Sequence, residues 1–227
     1  MKWAAIIVAA GRGTRLGGPK QFIELAGLPM VGWSLRTFAS MEEIGEIVVV
    51  TEPAWVERMR DLAGSLCGAC PVTVVEGGAS RQASVAAGLE ATSDKCDAVF
   101  VHDGARPLVS ASDVREGMKA VAAGRGAVLG APVVDTIKVV DPVTHRVKAT
   151  LDRSELWGAQ TPQFAIRSDL LRAHEAAKEL NVEATDDVAL LEAIGIEVVI
   201  VPASGENFKV THPHDVARAR ALLEVRI

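Results

Sequence analysis

The chain has 227 residues, is 49% hydrophobic and 23% charged, and carries a net charge of −5. Such a chain is long enough to bury a core without staples, which excludes disordered, collagenous and coiled-coil classes. The acidic balance argues against a general nucleic-acid binder, and nine aromatics (five Phe, four Trp, no Tyr) argue against a base-stacking platform.

Cys67, Cys70 and Cys96 are an odd count in a chain of this size and fit a reducing, cytoplasmic setting. No apolar run reaches the ~18 residues of a membrane span. The apolar stretch Trp3–Ala10 runs directly into Gly11-Arg12-Gly13 and reads as a buried strand rather than a leader peptide.

In chain order, Ala4–Val8 predicts a first strand and Val31–Met41 a helix opened by Pro29. Glu46–Thr51 predicts a second strand and Ala54–Leu66 a helix after Pro53. Val72–Glu76 predicts a third strand and Ala79–Ala91 a helix. Ala98–His102 predicts a fourth strand, and Ala111–Ala123 a helix with Ser110 or Ser112 as N-cap. Ala127–Val133 predicts a fifth strand. Strands apolar on both faces and separated by helices imply a mostly parallel, Rossmann-like α/β sheet with helices on both faces.

The alternation then breaks. Asp135–Val140 and Arg146–Thr150 flank an Asp-Pro turn and predict a projecting β-hairpin arm, spanning about 135–153 with its flanks. A lone hairpin is marginal in water, so a second subunit is its simplest packing partner. Ser168–Leu180 and Asp187–Ile194 predict helices, Glu197–Val201 a strand, and Pro213–Glu224 a closing helix, all within one domain of residues 1–227.

Ligands of such sheets bind beyond the carboxyl ends of the strands. The first strand empties there into a segment, residues 9–20, with four glycines and three cations. Glycine lets a backbone approach phosphate closely, and cations add complementary charge. The segment is neither a P-loop, lacking Gly-Lys-[Ser/Thr], nor a dinucleotide fingerprint, since Leu16 stands at the third glycine position. Gly77–Ser84, His102–Pro107, the group Asp135, Thr136 and Lys138, and Asn207–Thr211 lie on the same predicted edge. A polyanion there would meet Arg15, Lys20, Arg106 and Lys209. Cys67-Gly68-Ala69-Cys70 is a lone pair without the second pair a zinc site needs, and His212 and His214 read as a surface pair.

Ala9-Ala10-Gly11-x-Gly13-x-Arg15, Pro19-Lys20-Gln21, His102–Pro107, Ala131-Pro132-Val133-x-Asp135-Thr136-x-Lys138, Gln160–Gln163, Thr185–Asp187 and Asn207-x-Lys209-Val210-Thr211 occur in that order over essentially the whole chain. The set resembles the 2-C-methyl-D-erythritol 4-phosphate cytidylyltransferases. That resemblance implies transfer of CMP from CTP to a polyol phosphate in isoprenoid precursor synthesis, with release of pyrophosphate. It implies catalytic Arg15, Lys20 and Lys209. It implies CTP contacts from Ala9, Ala10, Gly11, Gly13, Gly78, Ser84, Asp103 and Gly104. It implies acceptor contacts from Arg106, Thr136, Arg153 and Thr161, with Thr136 and Arg153 reaching into the other subunit of a homodimer. Mg²⁺ at Asp103 is implied as well. A structural role for Asp103, as a cap or as a partner of Arg106, is the alternative.

The resemblance departs at Ala79, where some members carry an acid, and in the spacing of Arg15 and Lys20, five residues apart. The alternatives are a ribitol 5-phosphate cytidylyltransferase, a CTP-binding module without catalysis, and a nicotinamide oxidoreductase.

Overall fold

The computed structural model describes residues 1–11, 13 and 16–225. Its strands are β1 (Trp3–Ala9), β2 (Glu24–Leu25), β3 (Leu28–Pro29), β4 (Ile44–Thr51), β5 (Val72–Glu76), β6 (Ala98–Asp103), β7 (Gly126–Pro132), β8 (Lys138–Val140), β9 (Val147–Thr150), β10 (Trp157–Ile166) and β11 (Val198–Pro202). Its helices are α1 (Met30–Ala39), α2 (Val56–Leu66), α3 (Arg81–Glu90), α4 (Ala111–Ala122), α5 (Arg167–Glu179), α6 (Asp187–Ala193) and α7 (Pro213–Glu224).

Seven strands form one sheet in the order β11-β7-β10-β6-β1-β4-β5. β1 runs parallel to β4 and β6, β4 to β5, and β7 to β11, whereas β10 is antiparallel to both β6 and β7. The expected mostly parallel sheet is therefore present, with one strand the sequence reading did not foresee. β10 contains Gln160-Thr161-Pro162-Gln163, and a polar run with an internal proline demotes a strand prediction. It is nonetheless buried from Gln160 to Ala165, because the chain returning from the arm fills the gap between β6 and β7. Its register against β7 breaks between Ala159 and Gln163, so Pro162 sits where the ladder does not ask for its missing N–H.

The side chains of β1 alternate between two cores, as period 2 dictates. Trp3, Ala5 and Ile7 meet Leu35 and Phe38 of α1, Met59 of α2 and Val114 and Met118 of α4 on one face. Ala4 and Ile6 meet Val85 and Leu89 of α3, Leu170 and Ala173 of α5 and Leu191 of α6 on the other. A third cluster joins Leu25, Met30 and Trp33 to Leu108, Val210 and the α7 residues Ala219 and Leu223. β2 and β3 form a small hairpin, also not foreseen, whose two-residue turn Ala26-Gly27 has φ of 47° and 83°. That left-handed pair matches the twist of a hairpin.

The arm is present as β8 and β9, paired antiparallel apart from the main sheet and shorter than expected. Its valines are on the outside: Val139, Val140, Val143 and Val147 are all exposed. Ser110 caps α4 by accepting from the Asp113 amide at 3.1 Å. Asp186 caps α6 by accepting from the Ala189 amide at 3.1 Å.

Candidate active site

β1, β4, β5 and β6 end on one edge of the sheet, where a cavity of about 540 Å³ opens. It is lined by Ala9, Ala10, Gly11, Lys20, Glu52, Gly77, Gly78, Arg81, Ser84, Asp103, Gly104 and Lys209, among others. Nine residues expected in the site thus share one cavity: Ala9, Ala10, Gly11, Lys20, Gly78, Ser84, Asp103, Gly104 and Lys209.

The β5–α3 glycines form its floor. A Cβ on Gly77 would come within 2.5 Å of the Ala10 Cβ, and one on Gly78 within 2.5 Å of the Ala83 Cβ. Ser84 ties the turn down: its Oγ accepts from the Gly78 amide at 3.1 Å and donates to the Ser80 carbonyl at 2.9 Å. Ser80 in turn caps α3 by accepting from the Ala83 amide at 3.1 Å.

Asp103, the last residue of β6, is the electrostatic centre. Its Oδ2 lies 2.8 Å from Lys209 Nζ and 3.6 Å from Arg106 Nε, and its Oδ1 lies 3.7 Å from Arg81 Nε. Burial alone would raise its pKa, but the three cations outweigh it, Lys209 foremost, and hold the carboxyl down at about 2. The cations arrive from three places in the chain: the first turn of α3, the loop after β6, and the segment before α7. That last segment is docked by its backbone, with the Val210 amide on the Ala105 carbonyl at 2.8 Å. The Asn207 carbonyl accepts from Arg106 Nη1 at 2.7 Å. Lys20 approaches from the glycine-rich side, with Nζ 3.5 Å from the Val210 carbonyl.

Beneath Asp103 runs a chain of hydrogen bonds. The Asp103 amide donates to Thr161 Oγ1 at 2.9 Å. Thr161 Oγ1 meets His102 Nδ1 at 3.2 Å, and His102 Nε2 faces the Arg106 carbonyl at 3.2 Å. Nε2 also lies 3.1 Å from the Ser34 hydroxyl, so both ring nitrogens have polar partners inside the core. Burial pushes the His102 pKa down to about 3, against the pull of Asp103. The imidazole is a neutral strut.

The other expected site residues lie elsewhere. Arg15 is outside the described residues. Gly13 is described, with φ of 60°, but does not line the cavity. Thr161 is buried, its hydroxyl engaged as above. Thr136 and Arg153 are exposed on the arm and its flank, away from the cavity of their own chain, and Arg153 donates to the Val134 carbonyl at 2.9 Å.

Arg81 and Asp187 fall in segments that the sequence marks, Gly77–Ser84 and Thr185–Asp187, but neither they nor Glu52 was expected among the site residues. A signal for Arg81 existed: a cation in the first turn of a helix opposes the helix dipole and calls for a local anion. Here that anion is Asp187. Among the described residues no group of three or more His, Cys, Asp or Glu could hold a metal ion. Asp103 can offer a hard cation one carboxylate. That suits Mg²⁺, which usually takes one or two carboxylates and fills its shell with water and substrate phosphate.

A family model described as 2-C-methyl-D-erythritol 4-phosphate cytidylyltransferase matches residues 3–225. The chain belongs to this family. Proteins of that name from Pelotomaculum thermopropionicum and Streptomyces avermitilis are 41% and 42% identical to it, covering 99% and 98% of this chain and 95% and 92% of their own. Among solved structures, the 4-diphosphocytidyl-2C-methyl-D-erythritol synthase of Anaerococcus prevotii aligns with a TM-score of 0.88 at 26% identity, over 98% of both chains. The 2-C-methyl-D-erythritol 4-phosphate cytidylyltransferase of Thermus thermophilus aligns with a TM-score of 0.79 at 33% identity, over the full length of both. The family rules out the nicotinamide oxidoreductase reading.

Proposed function

We propose that this cytidylyltransferase joins CTP to 2-C-methyl-D-erythritol 4-phosphate, giving the CDP-alcohol and pyrophosphate. One observation carries the reading within the family. Arg81, Arg106 and Lys209 gather on Asp103 at the mouth of a glycine-floored cavity, with Lys20 beside them.

The chemistry demands such a cluster. A phosphate oxygen of the acceptor attacks the α-phosphorus of CTP, and the bond to the bridging oxygen of the pyrophosphate breaks. Both reactants are anions, and two unit charges 4 Å apart repel by about 4 kcal/mol at an effective dielectric of ~20. The attacking oxygen is already ionised, so neither a protein nucleophile nor a strong base is needed. In-line placement and charge neutralisation suffice. Lys20 and Lys209 serve the phosphates as mobile point charges, and Arg81 and Arg106 add fixed positive charge beside them. Arg15 joins them by family resemblance.

Asp103 holds three of these cations in place before substrate arrives, and its carboxylate is the group at the phosphate end suited to Mg²⁺. When bound, the ion supplies further neutralisation of the triphosphate. The base lies over Gly77 and Gly78, with Ser84 fixing that turn and the Ala9–Gly11 backbone along the ribose.

The arm makes the protein a homodimer in this reading. Exposed Val139, Val140 and Val147 give it an apolar face, and Thr136 and Arg153 reach the acceptor phosphate of the partner's site. The cytoplasmic setting inferred from the free cysteines fits this role.

The test is pyrophosphate release from CTP with methylerythritol phosphate and, in parallel, ribitol 5-phosphate. Turnover with the first is expected. Turnover with ribitol phosphate alone, or nucleotide binding without turnover on either, overturns the assignment.

A further inference from the structure

The cavity has a second carboxylate that charge neutralisation does not use. Glu52 follows β4 directly and lines the cavity with Gly77 and Gly78. The ladder places it there: Thr51 pairs with Glu76, and the Gly77 amide donates to the Thr51 carbonyl at 2.8 Å. Glu52 and Gly77 therefore leave the sheet side by side. Glu52 stands at the N-cap of the single turn Pro53–Trp55, yet its side chain makes no capping bond. No described cation pairs with it. Glu52 is thus partly buried at the cavity wall, and its side chain has no partner among the described residues.

Its position in the sheet separates it from the phosphate end. Asp103 and its cations lie at the end of β6, and in the order β6-β1-β4-β5 Glu52 is two strands away. Two strand spacings are ~10 Å, comparable to the reach of a nucleoside from phosphate to base. The neighbouring side chain Ala79 offers no polar atom, and Ser84 is engaged with the Gly78 amide and the Ser80 carbonyl.

A cytosine presents an exocyclic amine where a uracil presents a carbonyl. A carboxylate accepts from the first and repels the second, so a single acceptor both attracts the right base and rejects the wrong one. We propose that Glu52 is a specificity-determining residue whose carboxylate accepts a hydrogen bond from the cytosine amine and excludes uridine nucleotides. This rests on the cytidylyltransferase reading above.

The experiment titrates CTP and UTP into the wild-type protein and Glu52→Gln by calorimetry, and follows pyrophosphate release with methylerythritol phosphate in both. Glutamine keeps the size and can turn its amide toward a uracil carbonyl. The CTP:UTP affinity ratio is expected to fall by about tenfold or more in Glu52→Gln. In turnover the loss falls on KM for CTP, with kcat held within about twofold. A ratio unchanged within about twofold, or a wild-type protein that binds both nucleotides alike, overturns the proposal. If the variant shifts the binding ratio while neither protein turns over, the base contact stands and the catalytic reading fails. If both turn over with the same nucleotide preference, the catalytic reading stands and Glu52 is not the reader.

Discussion

Arg81 and Asp187 meet fork to fork: Nη1 donates to Oδ1 at 3.1 Å and Nη2 to Oδ2 at 2.7 Å, across a sequence distance of 106 residues. The Asp187 side chain is 3% exposed and that of Arg81 is 31% exposed. The acid is rooted in the protein and the base faces the cavity. Gln163 holds the acid's own helix, its Oε1 accepting from the Asp187 and Val188 amides at 2.8 and 3.1 Å. In the proposed site Asp187 is therefore a positioning residue acting through Arg81.

Asp187→Asn should take the buried partner from a cation that is partly exposed and keeps Asp103, a loss of about 2 kcal/mol of stability. Denaturant unfolding reads that loss. Steady-state kinetics should show kcat/KM reduced by roughly tenfold or more, because a guanidinium free to swing no longer waits at the phosphates. Kinetics unchanged beside a lower stability would assign the pair to folding alone.

Acid should weaken the fold through His102 first. Its pKa is about 3 in the folded chain, against 6.5 for the free side chain. Between those values the unfolded chain binds a proton that the folded chain refuses, so stability falls as pH drops from about 6.5 toward 3. One such group gives a slope of up to about 1.4 kcal/mol per pH unit. Asp103 acts lower: with a folded pKa of about 2 against 3.8, its contribution is present above pH 3.8 and is lost as pH falls through 2. Urea unfolding from pH 4.5 to 7 should show a shallower slope in His102→Gln, by close to one proton. Parallel slopes would mean that the ring is not buried neutral.

The shared-site reading makes the arm a kinetic element. Arg153→Ala should raise KM for the polyol phosphate and leave KM for CTP close to wild type. Mixing inactive Lys209→Ala subunits with weakened Arg153→Ala subunits should restore activity at low polyol phosphate, since one site per mixed dimer draws both residues from intact chains. Sedimentation of Val139→Asp/Val147→Asp should report monomers. A silent mixture would place each site within a single chain.

Packing sets a further expectation. A Cβ on Gly117 of α4 would lie 2.3–2.7 Å from the Phe164 ring of β10. Gly117→Ala gains helix propensity of up to ~1 kcal/mol, but the ring is fully buried and has no room to retreat. The overpacking should dominate, with a net loss of about 1–2 kcal/mol in denaturant unfolding. A more stable variant would show that α4 can slide on the sheet.

The sequence alone determined most of the local elements, though not β2, β3 or β10, and the class of the fold. Val72–Glu76 and Pro213–Glu224 fall where periodicity and proline placed them, and the other foreseen boundaries agree to within three residues. The glycines and cations of the site were also legible, because backbone approach and charge leave plain marks in composition. Tertiary structure alone decided three things: that β10 enters between β6 and β7, that Asp187 anchors Arg81, and that Glu52 comes to stand beside Gly77. Periodicity reports only which face of a segment is apolar. It carries no information on which distant strand fills a gap in the sheet or which remote carboxylate meets a given cation, since those pairings exist only once the chain has closed on itself.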